Sequence, residues 1–338
     1  MGMIDEIREQ PSVIAWAMES NQETAVQAAE LVGDCTHAVI AARGSSDNAA
    51  RYAQYVWGTR NRLSVGLTTP SLFSIYDRPP RLTNALVVGI SQSGQSPDIV
   101  SVLEEARSQD RPTLALTNDP ESPLAAVADV IVDLVAGEER SVAATKTYTS
   151  TLMMIALISD ALDADGSLGG VPESVAGVLG IEAEIEKAAR SFADIEHCAV
   201  LGRGFNHATA FEWALKLQEL TQVVAQPFST ADFLHGPMAM VEPGYPVLAV
   251  TVNGPAHAEV SALLARAAEM GARLLTISDD RALTGLVGSH LTIPGRLDEW
   301  LTPVPAIVAG QLFAYHLTLA KDLDPEQPRG LKKVTRTT

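Results

Sequence analysis

The sequence predicts an α/β fold made of two tandem doubly wound parallel-sheet units. Three observations carry that expectation. Continuous apolar runs alternate with helical patterns, as strands buried on both faces of a parallel sheet require. The pattern occurs twice in the same order, with HAVIAARG at 37–44 matched by HCAVLGRG at 197–204, an offset of 160. The chain has 338 residues, 46% apolar and 19% charged, which suits two packed domains and not a disordered chain.

The elements follow in order. HAVIAAR (37–43) reads as a strand and SDNAARYAQYVWGT (46–59) as a helix. ALVVGIS (85–91) is a buried strand, and PDIVSVLEEARSQ (97–109) is a helix with Pro97 in its first turn, where a missing N–H costs nothing. PTLALTN (112–118) is a strand, SPLAAVA (122–128) a short helix, DVIVDL (129–134) a strand and YTSTLMMIALISDAL (148–162) a long apolar helix. In the second copy EVSALLARAAEM (259–270) partners the helix at 97–109, and RLLTISDDRALTGLVGSHLTI (273–293) partners the strand, helix and strand at 113–134. The expected divisions are an N-terminal helical arm at 1–30, a first domain at 31–165, a linker helix region at 166–190, a second domain at 191–322 and a tail at 323–338. The tail, PRGLKKVTRTT, is basic in a chain of net charge −17. It reads either as a frayed end or as a flap that brings a cation to an anionic ligand.

That acidic balance argues against nucleic acid and anionic membrane as partners. Cys35 and Cys198 have no metal-ligand or disulfide spacing and read as buried reduced thiols, which fits a cytoplasmic protein. The N-terminus has no signal-peptide stretch. Residues 301–320 carry no charge, but they contain Pro303, Pro305, Gln311 and His316 and read as a buried core helix, not a membrane span.

Four stretches could carry chemistry. SQSGQSPD (91–98) follows a buried strand and opens a helix. Its serines supply hydroxyls, Gly94 permits a tight turn, and the helix start offers unpaired N–H groups to an anion. Ser96 reads as the cap of that helix. Together these make a phosphate cradle, or else an ordinary capped helix start. No Lys follows in P-loop fashion, so a nucleoside triphosphate is disfavoured. ARGSSDN (42–48) is a second Ser-bearing loop at the matching end of another strand, on the edge where such sheets bind ligands. In FEWALKLQEL (211–220), Glu212, Lys216 and Glu219 share one helix face among apolar neighbours, so they form either a proton-transfer group or a surface ion-pair stripe. His235, in DFLHGPMAM (232–240), lies in a turn and could move protons near neutral pH or serve as a structural hydrogen bonder. No second His stands at ligand spacing, so no metal and no cofactor are expected. VAATKTYTS (142–150) is a Thr-rich helix start that capping alone could explain.

With EIREQP, SQSGQSPD, GEERSVAATKTYT, LGRGFNHATAFEWALKLQEL, LHGP and QPRGLKKVT in order, nearly the whole chain resembles the sugar isomerase (SIS) family. The nearest resemblance is to the isomerase part of the glucosamine-6-phosphate synthases (glutamine–fructose-6-phosphate transaminases) and to stand-alone amino-sugar-phosphate deaminases and fructosamine-phosphate deglycases. It implies two SIS domains of flavodoxin-like three-layer αβα form. It implies that Ser46, Ser91, Gln92, Ser93 and Ser96 hold a sugar phosphate, with Val142 and Thr145 lining the site. Glu219 would shuttle a proton between C1 and C2, assisted by Lys216. His235 would open the sugar ring, donated across a homodimer with shared active sites. Lys333, or Lys332 beside it, would meet the carbonyl.

Two departures stand out. Ala144 replaces a serine, and Trp213 replaces a small residue and is expected to reshape the pocket. The chain begins at the isomerase region, so no glutamine-derived ammonia is expected. The leading expectation is a glucosamine-6-phosphate deaminase. The alternatives are a deglycase or isomerase of another amino- or fructosamine sugar phosphate, and a non-catalytic sugar-phosphate sensor.

Overall fold

The computed structural model describes residues 2–163, 168–285 and 288–333. The last five tail residues, including the VT of QPRGLKKVT, therefore lie outside the described residues, as does part of the expected linker. The N-terminal arm forms helices α1 (Met3–Ser20) and α2 (Gln22–Val32). The first repeat is β1 (His37–Ala41), α3 (Ser45–Arg60), β2 (Ser64–Leu67), α4 (Ser71–Ser74), β3 (Ala85–Ile90), α5 (Pro97–Ser108), β4 (Thr113–Thr117), α6 (Pro123–Ala126), β5 (Val130–Asp133) and α7 (Lys146–Leu162). Helices α8 (Val171–Leu179) and α9 (Glu182–Ser191) fill the expected linker region. The second repeat is β6 (His197–Gly202), α10 (His207–Thr221), β7 (Val224–Ser229), α11 (Thr230–Leu234), β8 (Pro246–Val250), α12 (His257–Glu269), β9 (Arg273–Ser278), β10 (Ser289–Thr292) and α13 (Pro303–Ala320).

Both sheets are parallel and five-stranded, with orders β2-β1-β3-β4-β5 and β10-β9-β8-β6-β7. Read from the other edge, the second order repeats the first, so the duplication seen in sequence is a duplication of topology. It is the doubly wound order in which ligands bind beyond the strand carboxyl ends. The sequence reading passed over β2, β7 and β8. β2 and β7 are edge strands with half-exposed faces, and β7 contains Pro227, which only an edge tolerates. β8 is wholly buried, but it opens on Pro246 directly after Gly244 and Tyr245, and these turn-type residues mask its start.

Contacts divide the described residues into two compact units, and each carries one sheet. One comprises the spans Ser12–Glu139, Lys146–Leu168 and Lys332–Thr338, the other Met1–Pro11, Arg140–Thr145 and Gly169–Leu331. In the first unit β3 is buried at all six positions, and Val87, Val102, Leu103, Ala115 and Leu124 pack the core between sheet and α5. In the second, Leu201, Val247, Ala249, Leu263 and Leu264 do the same beneath α12. The apolar stretch Glu299–Ala320 is long enough to cross a membrane, but it is mostly buried against α8, α9 and α10 as a core helix. Cys198 is buried, and burial pushes its thiol up to about 12, out of the reactive range. Cys35 is free but only half-buried, against the expectation of two buried thiols.

Candidate active site

In the first unit, β1 and β3 lie side by side and in parallel, so the turns that follow them share one sheet edge. Ser46 stands in the first turn of α3, and Ser91, Gln92, Ser93 and Ser96 form the turn into α5. The structure thus brings these five residues to one edge. Arg43 Nε, after β1, donates to Asp98 Oδ2 in the first turn of α5 at 2.9 Å and ties the two turns together. Asp98 is fully buried.

The loop backbone is fixed from outside. Asn118 N–H donates to Gln92 O at 3.0 Å, and Leu124 N–H to Gly94 O at 3.1 Å. Gly94 has φ of +59°, and a Cβ there would overlap Ser122 Oγ and Cβ, so both conformation and space require glycine. Ser96 occupies the N-cap position with extended backbone, but its side chain makes no capping hydrogen bond, contrary to the sequence reading. Pro97 presets the helical φ, and the Ser96 hydroxyl is left available for a ligand.

The same unit holds the tail lysine. Lys333 Nζ lies 2.7 Å from Glu139 Oε2, whereas Lys332 is exposed. Glu139 is a residue that motif reading passed over. Its carboxylate also accepts from Gln92 Nε2 at 3.2 Å, Thr147 Oγ1 at 2.8 Å and Thr147 N–H at 3.1 Å.

Val142 and Thr145 belong to the other unit, with the rest of segment 140–145. Two residues of α1 hold that segment. The fully buried Glu6 carboxylate accepts from the Arg140 N–H at 2.5 Å and from the Ser141 N–H at 3.3 Å. Gln10 Nε2 donates to Gln311 Oε1 at 2.8 Å, and Gln311 Nε2 donates to Thr145 O at 3.3 Å. EIREQP is therefore a bracket for segment 140–145. Its signal was present in sequence: Gln10 sits within the apolar stripe Met3, Ile7, Ile14, where a polar side chain needs a buried partner.

On α10 of that unit, Lys216 and Glu212 are fully buried, and the Glu219 side chain is 22% exposed. Lys216 Nζ lies 3.3 Å from Glu212 Oε1 and 2.5 Å from Glu219 Oε2. This is not a solvated ion-pair stripe. Burial alone would pull the Lys216 ammonium down, but the charges and hydrogen bonds of Glu212 and Glu219 outweigh it. The net effect is to raise Lys216 above its ordinary 10.5, and it stays charged at neutral pH. Two carboxylates thus share one fixed cation, and Glu219 is the one that reaches solvent.

Trp213 does not line this face. It is buried against α13, edge-on to Phe313 at 5.6 Å and close over Gly310, so its bulk changes helix packing and not the pocket. His235 ends α11 and is exposed, with its N–H donating to Asp232 O at 3.1 Å. Gly236 follows at φ +148°. Among the described residues no hydrogen bond or ion pair links His235 to Glu219.

The model of the SIS domain family matches residues 31–159 and 191–284. The glutamine–fructose-6-phosphate aminotransferase [isomerizing] of Pyrococcus horikoshii is 31% identical over 98% of this chain and 57% of its own length. The chain thus spans little more than half of that relative. Among solved structures, the C-terminal domain of glucosamine-fructose-6-phosphate aminotransferase from Francisella tularensis superposes with a TM-score of 0.85 at 28% identity, covering 96% of this chain and 98% of that one. A proposed phosphosugar isomerase from Silicibacter pomeroyi also gives a TM-score of 0.85, at 31% identity, over 96% and 100% of the two chains.

Proposed function

The chain belongs to the SIS domain family, and from that premise we propose that it is a phosphosugar enzyme that converts glucosamine 6-phosphate to fructose 6-phosphate and ammonia. The observation that carries the reading is the buried Glu212–Lys216–Glu219 group, which leaves one carboxylate at the surface beside a cation that cannot leave. Such a carboxylate suits proton transfer between adjacent carbons. In the proposed reaction the Ser91–Ser96 turn and Ser46 hold the phosphate, with Val142 and Thr145 lining the sugar. His235, supplied by the partner subunit of a homodimer, opens the ring. Glu219 takes the proton from C2 and returns it to C1, which leaves an imine at C2. The Lys333 amine displaces ammonia from that imine, and water then releases the ketose.

The F. tularensis relative's name couples glucosamine with fructose 6-phosphate, and the P. horikoshii relative's name couples fructose 6-phosphate with amine transfer, which supports an amino-sugar phosphate as substrate. The S. pomeroyi relative favours a second reading, aldose–ketose isomerisation of another phosphosugar with no loss of amine. Incubation with glucosamine 6-phosphate, followed by assay of ammonia and fructose 6-phosphate, separates the two. Both products should appear in equal amounts. Turnover of a fructosamine phosphate or a plain hexose phosphate, without ammonia from glucosamine 6-phosphate, would overturn the first reading. Binding without any turnover would return the chain to the sensor class.

A further inference from the structure

We propose that Glu139 is a positioning residue that parks the Lys333 amine as an ammonium beside the phosphate loop. Every group involved lies in one compact unit. The Glu139 side chain is fully buried, and a buried carboxylate needs a cation and a full set of donors. Oε2 receives Lys333 Nζ at 2.7 Å, Thr147 Oγ1 at 2.8 Å and Gln92 Nε2 at 3.2 Å. Oε1 receives the Thr147 N–H at 3.1 Å, in the first turn of α7, where N–H groups have no helical partner and the helix dipole favours an anion.

The carboxylate is therefore immobile before the lysine arrives. One of its donors, Gln92, belongs to the turn after β3, so the ammonium is anchored at the sheet edge that carries the serines. The arrangement also chooses between the two tail lysines. Lys332 is exposed and Lys333 is held, so Lys333 is the amine with a defined position.

The consequence for chemistry rests on the function proposed above and applies to its ketose product, as the reverse of the step in which water releases the ketose. An ammonium has no lone pair, so Lys333 must lose a proton before it adds to a carbonyl. That proton passes from Nζ to Glu139 Oε2. The freed amine forms a C–N bond to the carbonyl carbon while the C=O π pair moves to oxygen. The added nitrogen passes a proton to that oxygen to give the carbinolamine, whose hydroxyl takes up the proton held by Glu139 and leaves as water, which gives an iminium and restores the carboxylate. Glu139 acts throughout via Lys333 and needs no contact with the sugar.

The parking itself can be tested without any substrate. Trace acetylation with acetic anhydride at about pH 8, read by peptide mass, reports the reactivity of each lysine amine, with Lys332 as internal control. Because the Glu139 carboxylate holds Lys333 Nζ while Lys332 is exposed, Lys333 should react at least about tenfold more slowly than Lys332 in the wild type, and Glu139→Gln should bring the two within about threefold. Thr147→Val removes a neutral hydrogen bond but keeps the charge, so it should leave Lys333 protected. Equal reactivity in the wild type, or unmasking of Lys333 by both variants alike, would overturn the proposal, because the second result is what a merely structural role gives.

Borohydride trapping with fructose 6-phosphate then tests the proton step. Iminium formation, unlike acetylation, also needs the proton that Glu139 returns to the carbinolamine hydroxyl, so the adduct should form on Lys333 and should form at least about tenfold more slowly in Glu139→Gln. An unchanged trapping rate on Lys333 in that variant refutes the step. A wild type that forms no adduct refutes the carbonyl role of Lys333, while the acetylation result still decides whether Glu139 holds it.

Discussion

The turn that leaves β3 and the turn that leaves β8 hang from the same frame. Ser91 N–H donates to Leu116 O at 3.1 Å, and Thr251 N–H donates to Ile277 O at 3.1 Å. One strand over, Asp119 N–H meets Thr117 Oγ1 at 3.2 Å, and Asp280 N–H meets Ser278 Oγ at 3.0 Å. A glycine holds the centre of each turn, Gly94 in one and Gly254 in the other. The side chains then diverge. The first turn has Ser91, Gln92, Ser93 and a free-standing Ser96 at its helix cap, where the second has Ala256. In the second turn the Asn253 N–H is already taken by Asp279 Oδ1 at 2.8 Å, and the Glu299 carboxylate lies against Gly254. Duplication preserved the hydrogen bonds that anchor both turns, although only Gly94 of the two central glycines has a positive φ. Carboxylates fill the second one, and an anion is repelled from it. The second unit carries its candidate chemistry on α10 instead, in the Glu212–Lys216–Glu219 group.

The sharpest test of this division of labour is Glu219→Gln, which keeps the side-chain shape and removes the base. Turnover of glucosamine 6-phosphate should fall by about 10²- to 10⁴-fold, with fructose 6-phosphate affinity little changed. A loss confined to affinity would move Glu219 into the binding set. Next in size is a matched pair at the two turns. Ser96→Ala should weaken fructose 6-phosphate binding by about 10- to 100-fold, the loss of a hydrogen bond to a charged group, and Asn253→Ala should leave it unaltered in the same titration. The thermal midpoint of Ser96→Ala should stay near wild type, because the hydroxyl makes no capping bond. Equal losses of affinity at both turns would mean that the second cradle also takes phosphate.

A third pair asks about the frame alone. Gly94→Ala needs φ of +59° and meets Ser122, whose backbone-anchored Cβ cannot move aside, so it should lower stability by roughly 1–3 kcal/mol in urea unfolding. Gly254 has no positive φ, and the atoms nearest an added Cβ all belong to the flexible Glu299 side chain, which can swing away. Gly254→Ala should therefore be close to neutral. A costly Gly254→Ala would show that Glu299 is held as firmly as Ser122.

Much of this was legible in sequence because local and long-range signals agreed. The repeat at an offset of 160 and the Pro-led helix at 97 gave strand, turn and helix their places. The chemistry was less legible where it depends on burial. Glu212, Lys216 and Glu219 show the same spacing whether they face water or the core, and only packing of α10 against α13 and β7 decides between them. Ser96 looked like a helix cap by type and position, yet capping requires a χ angle that sequence does not encode. Trp213 looked like a pocket residue because it replaces a small residue on the helix that carries Glu219, although its side chain packs edge-on against Phe313. Glu139 lies in the motif GEERSVAATKTYT, but nothing in that motif shows what its carboxylate holds. Its partners Gln92, Thr147 and Lys333 come from three separate segments, and no window of sequence contains them together.

The smallest expected effect concerns the acid that sits in the second cradle. Burial, and then the charge of Asp279, push the Glu299 carboxyl above its ordinary 4.5. A carboxyl whose folded pKa is raised binds its proton more tightly in the folded state than in the unfolded one. Below 4.5 both states are protonated and the site is neutral toward stability. As pH rises through the folded pKa, the unfolded chain has already lost its proton and the folded chain must lose it against burial and Asp279, so stability falls. Glu299→Gln removes that loss. The variant should melt slightly higher than wild type at neutral pH, and the difference should vanish below 4.5. Because the side chain is half-exposed, water screens the interaction and the gain should be a fraction of the Gly94→Ala effect. A variant that melts lower at neutral pH would mean that the second turn uses the Glu299 charge, and that the cradle there is filled for stability and not merely closed to anions.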